Sequence, residues 1–123
     1  MQEDRLQEMF DRQLILARNF IPVDKLISVG EVGDIERQKY LVTYVQLLIE
    51  EAVELQRTLP ARKFWRKSVS SKPVNWRDAI EEMADIIHIV IAMCIIIGLS
   101  PQEMFEEYVR KNDINLERVK NNS

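Results

Sequence analysis

The residues that break helices stand almost entirely between the periodic segments of this chain, and that placement limits what it can fold into. Only three glycines and four prolines occur in 123 residues. The stretches they leave uninterrupted carry apolar residues at helical spacing, so the expected fold is all-α. A first helix is expected from Gln2 to Phe20, with Leu6, Met9, Phe10, Gln13, Leu14 and Ala17 down one stripe, limited by Pro22. VDKLISVGEVGD, residues 23–34, reads as a connector. A second helix should run from Ile35 to Leu59 and meet Pro60, and the basic stretch ARKFWRKSVSSKPV, residues 61–74, reads as a loop. Asn75 is placed to cap a third helix, with Asp78 approximating a capping box and Gly98 ending it. Ser100-Pro101-Gln102-Glu103 combines an N-cap, a proline at the first helical position and an acid at the third, so a fourth helix should start there and run toward Val119. Residues 1–123 are expected to form a single domain, a four- to five-helix bundle.

The third helix is apolar on nearly every side after Asp85. A helix of that kind must be surrounded, and in a chain this short the expected cover is a second copy, giving a dimer or a dimer of dimers. Cys94 is the one cysteine, which excludes an internal disulfide framework; its apolar setting reads as packing. A net charge of −3 gives no electrostatic argument for nucleic acid or an anionic membrane as partner. The N-terminal MQEDRLQEMF is too charged for a secretory leader, and the apolar run from Ile86 to Leu99 is shorter than the ~20 residues of a membrane span. A cytoplasmic location is the expectation.

Against that background four acids are out of place. Glu51 and Glu54 lie within LVTYVQLLIEEAVEL, and Glu82 and Asp85 within AIEEMADIIHIVIAM, each pair spaced i, i+3 with no obvious cation beside it. On helices that spacing puts both carboxylates of a pair on one face. Like charges on an apolar surface favour a hard divalent ion such as Mg2+, which prefers oxygen ligands. An isolated pair such as Glu103 and Glu106 carries little weight; two pairs in the most apolar helices can converge on one cleft when the helices pack antiparallel.

These residues carry a resemblance. E-x-x-E followed by E-x-x-D is similar to the signature of the MazG-like all-α nucleoside triphosphate pyrophosphohydrolases. Within that superfamily the chain most resembles the dimeric all-α dUTPases. Lys63 and Trp65 stand as the F-K-x-W element does, with Phe64 between them; DIIHIVIAM from Asp85 looks like D-I-L-H-F and places His88 at the family histidine; YVRKNDINLERV from Tyr108 resembles Y-x-x-K-N-x-x-N-x-x-R-Q, giving Lys111, Asn112, Asn115 and Arg118. The resemblance implies that Glu51, Glu54, Glu82 and Asp85 hold two or more Mg2+ ions, with Mn2+ as a substitute, and that water cleaves a bound triphosphate, dUTP first, to the monophosphate and pyrophosphate. Glu50, beside the cluster, is a candidate to orient or deprotonate that water. Gln13, Lys63, Trp65, His88, Lys111, Asn115 and Arg118 would contact the nucleotide, Gln13 at the base and Trp65 by offering a flat face. Arg66 and Lys67 read as a solvated basic loop, and Trp76 as packing at a helix start.

Two departures bear on the base. Where the family has Asn or Asp within a turn of the glutamine, this chain has Leu16 and Ala17, with Asn19 an approximate substitute, and the terminal Arg-Gln is Arg118-Val119. A relaxed or different preference, for dCTP, dATP or a damaged nucleotide, therefore stays open. A non-enzymatic helical dimerisation module is the alternative of another class.

Overall fold

The computed structural model describes residues 4–22, 33–66 and 73–122. Among them are four α-helices, α1 (Arg5–Ala17), α2 (Gly33–Arg57), α3 (Trp76–Ile96) and α4 (Pro101–Asn121), with a 3-10 turn at Pro60–Lys63 and no strand. The protein is all-α, as the placement of its breakers requires. Residues 23–32 of the expected connector, and Lys67 with the rest of 67–72, lie outside the described residues.

Local chemistry sets the boundaries. The first helix begins three residues later than expected, because the Asp4 carboxylate accepts from the Gln7 amide at 3.0 Å and caps it. It also ends earlier, at Ala17, with Phe20 in the turn beyond it. The second stops at Arg57 and not Leu59, since the Thr58 hydroxyl donates to the Leu55 carbonyl at 2.7 Å just before Pro60. Asn75 Oδ1 accepts from the Arg77 and Asp78 amides at 3.1 and 3.3 Å. At the far end of α3, Gly98 takes φ +74°, its amide donates to the Ile95 carbonyl at 3.0 Å, and the Leu99 amide donates to that of Cys94 at 2.9 Å. This is a Schellman closure, and it needs a residue that tolerates the left-handed region. Ser100 then caps α4 through the full reciprocal box, its Oγ accepting from the Glu103 amide at 3.1 Å while Glu103 Oε1 accepts from the Ser100 amide at 3.2 Å.

The most extensive packing is between α2 and α3, followed by α1 on α3, while α4 meets α1 over a short stretch. The core is built from Phe10, Ala17 and Ile21 at one side and Ile91, Cys94, Ile95 and Ile96 at the other, with Tyr40, Leu41 and Tyr44 of α2 against them. Cys94 is buried there, and Met104 Sδ lies 3.5 Å from its Sγ. Burial along α3 is concentrated at its last turns, from Ile91 to Ile96, with Ala79 the one buried residue before them, while Ile80, Met83, Ile87 and Val90 remain 40–55 % exposed in the single chain. Among the described residues no single helix is long and apolar enough to cross a membrane.

Candidate active site

Because Glu51 lies late in α2, and Glu82 and Asp85 early in α3, the pairing of these helices brings three carboxylates together from two rigid elements. One oxygen of each lies within 4.8 Å of the others. The Glu51 carboxyl is raised above its ordinary range, first by its removal from water, then by a hydrogen bond with Glu82 and by repulsion from Asp85, Glu82 and Glu54. The two glutamates are half-buried and Asp85 is exposed, so the group is open to solvent on one side. Three hard oxygen donors that crowd one another enough to hold back a proton suit a divalent cation of the Mg2+ class, with water completing its coordination.

Glu54 is not brought into this group. Its Oε1 accepts from Arg57 Nη1 at 3.3 Å, one turn further along α2. The expectation that neither acid pair has a cation beside it is therefore corrected: Arg57, at i+3, was within reach of Glu54 all along. Arg62 of the 3-10 turn donates in turn to the Arg57 carbonyl at 3.3 Å. Glu50 is exposed on α2 and is not among the grouped carboxylates.

The acids border a cavity of about 590 Å³. Glu51, Asp85 and His88 lie at one part of its lining, Tyr40, Thr43, Tyr44 and Leu47 of α2 and Ile89 and Ala92 of α3 form its walls, and Gln13, Leu16, Ala17, Phe20 and Ile21 close it from α1 and the turn after it. From Tyr40 to Glu51 the wall follows eleven residues of helix, or roughly 16 Å at ~1.5 Å per residue. Gln13 is only 7 % exposed, and its Oε1 is buried without a hydrogen-bond partner. A buried acceptor left unpaired is costly, so its presence in the lining of a cavity marks a place for a donor. Burial, and secondarily Tyr40, raises the Tyr44 phenol, which remains a neutral donor at ordinary pH.

Of the residues expected from sequence, Gln13, Glu51, Asp85 and His88 line this cavity, and Glu82 joins the acids beside it. Lys63, Trp65, Lys111, Asn115 and Arg118 do not line it. Lys63 ends the 3-10 turn, and Trp65 is 67 % exposed and packs edge-on against Phe64, ring centroids 5.4 Å apart. Lys111, Asn115 and Arg118 are exposed on α4, whose first turns pack on α1 and, through Met104, on Cys94. Asn19 does not substitute for the absent Asn or Asp: its Nδ2 donates to the Ile15 and Leu16 carbonyls, both at 3.2 Å, and closes the end of α1. Tyr40, Thr43, Tyr44 and Phe20 were missed by the sequence reading. The signal for Phe20 was present, since Gln13, Leu16, Ala17 and Phe20 follow i, i+3, i+4, i+7.

The family model described as phosphoribosyl-ATP pyrophosphohydrolase, PRA-PH, matches residues 34–112. That stretch holds Glu51, Glu54, Glu82 and Asp85 and leaves α1, Asn115 and Arg118 outside. No curated protein matches the chain, and no solved structure does.

Proposed function

The chain belongs to the phosphoribosyl-ATP pyrophosphohydrolase family, which supports pyrophosphohydrolysis of a nucleotide, and we propose that the nucleotide is a deoxynucleoside triphosphate, dUTP first, cleaved to the monophosphate and pyrophosphate. The observation that supports this reading is one cavity joining the unpartnered amide oxygen of Gln13 to the carboxylates of Glu51 and Asp85. A ligand with a hydrogen-bonding base at one end and a polyphosphate at the other satisfies both ends. The base end is built by α1, outside the matched stretch, so the substrate in the family's description does not pass to this chain with the fold.

In the proposed reaction water adds to phosphorus, the α–β phosphoanhydride bond breaks, and pyrophosphate leaves as one proton is released. Glu51, Glu82 and Asp85 would hold Mg2+, which when bound neutralises phosphate oxygens and acidifies a coordinated water. Their placement on two packed helices fixes the donors without a loop. Glu54 would join them on release from Arg57. His88 and the Tyr44 hydroxyl face the sugar and phosphates from the cavity wall, and Gln13 accepts an N–H from the base edge. In this reading Lys63, Trp65, Lys111, Asn115 and Arg118 serve a partner copy or approach when substrate is bound, and the protein works in the cytoplasm.

The test is kcat/KM across dUTP, dCTP, dTTP, dATP, dGTP and phosphoribosyl-ATP, with Mg2+ and with chelator. Gln13→Ala is expected to change the ranking among the pyrimidines, because a buried polar contact discriminates through the bases that leave it unpaired. A uniform drop, or none, would remove the first helix from base recognition. Preference of the wild type for phosphoribosyl-ATP would replace the dNTP reading.

The same reading includes a homodimer or dimer of dimers. Its support is the half-exposed row Ile80, Met83, Ile87 and Val90 on α3, together with Val42, Val45 and Ile49 on α2. Covering half-exposed aliphatic side chains is worth on the order of 1 kcal/mol each and so favours association. Light scattering at micromolar concentration is expected to give at least twice the chain mass; a monomer would refute this assembly.

A further inference from the structure

Phe20 is held where its ring can do little for the fold and much for a ligand. It lies in the cavity lining yet is 71 % exposed. Its backbone is fixed: the Phe20 and Ile21 amides both donate to the Ala17 carbonyl, at 2.9 and 2.8 Å, and Ile21 is buried at 3 %. The ring therefore stands on a pinned turn, two helical turns beyond Gln13 on the stripe that also carries Leu16 and Ala17. Tyr40 and Tyr44 also line the cavity, but both are partly buried and packed against the core; Trp65 is outside the lining and packed against Phe64, and the other polar candidate near Gln13, Asn19, is spent on the end of α1.

We propose that Phe20 is the stacking wall for the base of the nucleotide, the role that sequence resemblance gives to Trp65. The inference rests on the nucleotide reading of the cavity and adds to it the residue that grips the base. An aromatic ring offers a face to any base, so Phe20 supplies affinity without choosing among bases, while the Gln13 acceptor supplies the choice. The arrangement also accounts for an exposed aromatic in the same cavity lining as a buried, unpartnered amide oxygen: a planar, hydrogen-bonding ring covers the first and pairs the second.

The probe is dUMP, with pyrophosphate as a control, each titrated by calorimetry in the presence of Mg2+. Stacking of one base on one aromatic side chain is worth about 1–3 kcal/mol, so Phe20→Ala is expected to weaken dUMP about fivefold to a hundredfold. Phe20→Leu, which keeps apolar bulk, should lose affinity in the same direction. Phe20→Tyr, which keeps the ring, should stay within about threefold of wild type. Pyrophosphate affinity and melting temperature should be unchanged in all three, because the side chain is exposed. Wild-type dUMP affinity in Phe20→Ala, or a loss confined to Trp65→Ala, would overturn the assignment and leave the nucleotide reading standing. Failure of the wild type to bind dUMP, dCMP, dTMP, dAMP or dGMP would overturn that reading and the assignment with it.

Discussion

Asp85→Asn is expected to lower kcat/KM for the preferred triphosphate by about a hundredfold to a thousandfold, the scale on which one lost electrostatic stabiliser of a transition state is felt. The substitution keeps the shape of the side chain and removes a single charge from the three grouped carboxylates. Because Asp85 is exposed and no ion pair is formed by it among the described residues, folding loses nothing. Without divalent ions the variant should melt no lower than the wild type, since one source of repulsion on Glu51 is gone. Activity assays at saturating Mg2+, paired with thermal melting under chelation, measure both. Turnover within about tenfold of wild type would take the acid cluster out of the chemistry.

Mg2+ should raise the melting temperature by roughly 10 °C when present at about a hundred times its dissociation constant. That follows from ~2.7 kcal/mol of preferential binding and about 4 °C per kcal/mol for a domain of this length. The gain should depend on pH. The Glu51 carboxyl is raised in the folded chain above its ordinary value of 4.5, so in metal-free protein the fold binds more protons than the unfolded chain between that value and the raised one. Stability from this group is therefore lost as pH rises through that window and levels off above it. Bound metal displaces the proton and repays the repulsion, so the metal-induced gain should grow with pH across the same window. Melting curves from about pH 4 to about pH 8, with chelator and with Mg2+, show the difference, and Glu51→Gln should flatten it. A gain independent of pH in the wild type would mean that Glu51 does not meet the ion.

The parts of this structure that were legible in the sequence are those decided within a few residues. Asn75, Gly98 and the Ser100–Glu103 box each act on backbone groups next to them, and each sits where the sequence places it. The convergence of Glu51 with Glu82 and Asp85 was legible for a related reason: helical spacing fixes the face, and an apolar setting for acids demands an explanation. The Arg57 contact of Glu54 was not legible, because a rotamer, and not a spacing, decides whether its carboxylate turns to the cluster or to Arg57. The place of Trp65 outside the cavity lining was not legible, because it depends on the path of the segment between α2 and α3, which no local pattern specifies. Tyr40 and Tyr44 look like any core aromatics until the pairing of three helices leaves a cavity in front of them.

The stripe Gln13, Leu16, Ala17, Phe20 gives this cavity an interchangeable end. None of the three grouped carboxylates belongs to α1, and none of the stripe belongs to α2 or α3. Under the proposed division of labour, new residues at Gln13, Leu16 and Phe20, around an Ala17 held by the core, would re-address the hydrolase to another nucleotide and leave its acid machinery as it is. Selection could thus redirect what such a scaffold clears from a nucleotide pool through one short helix.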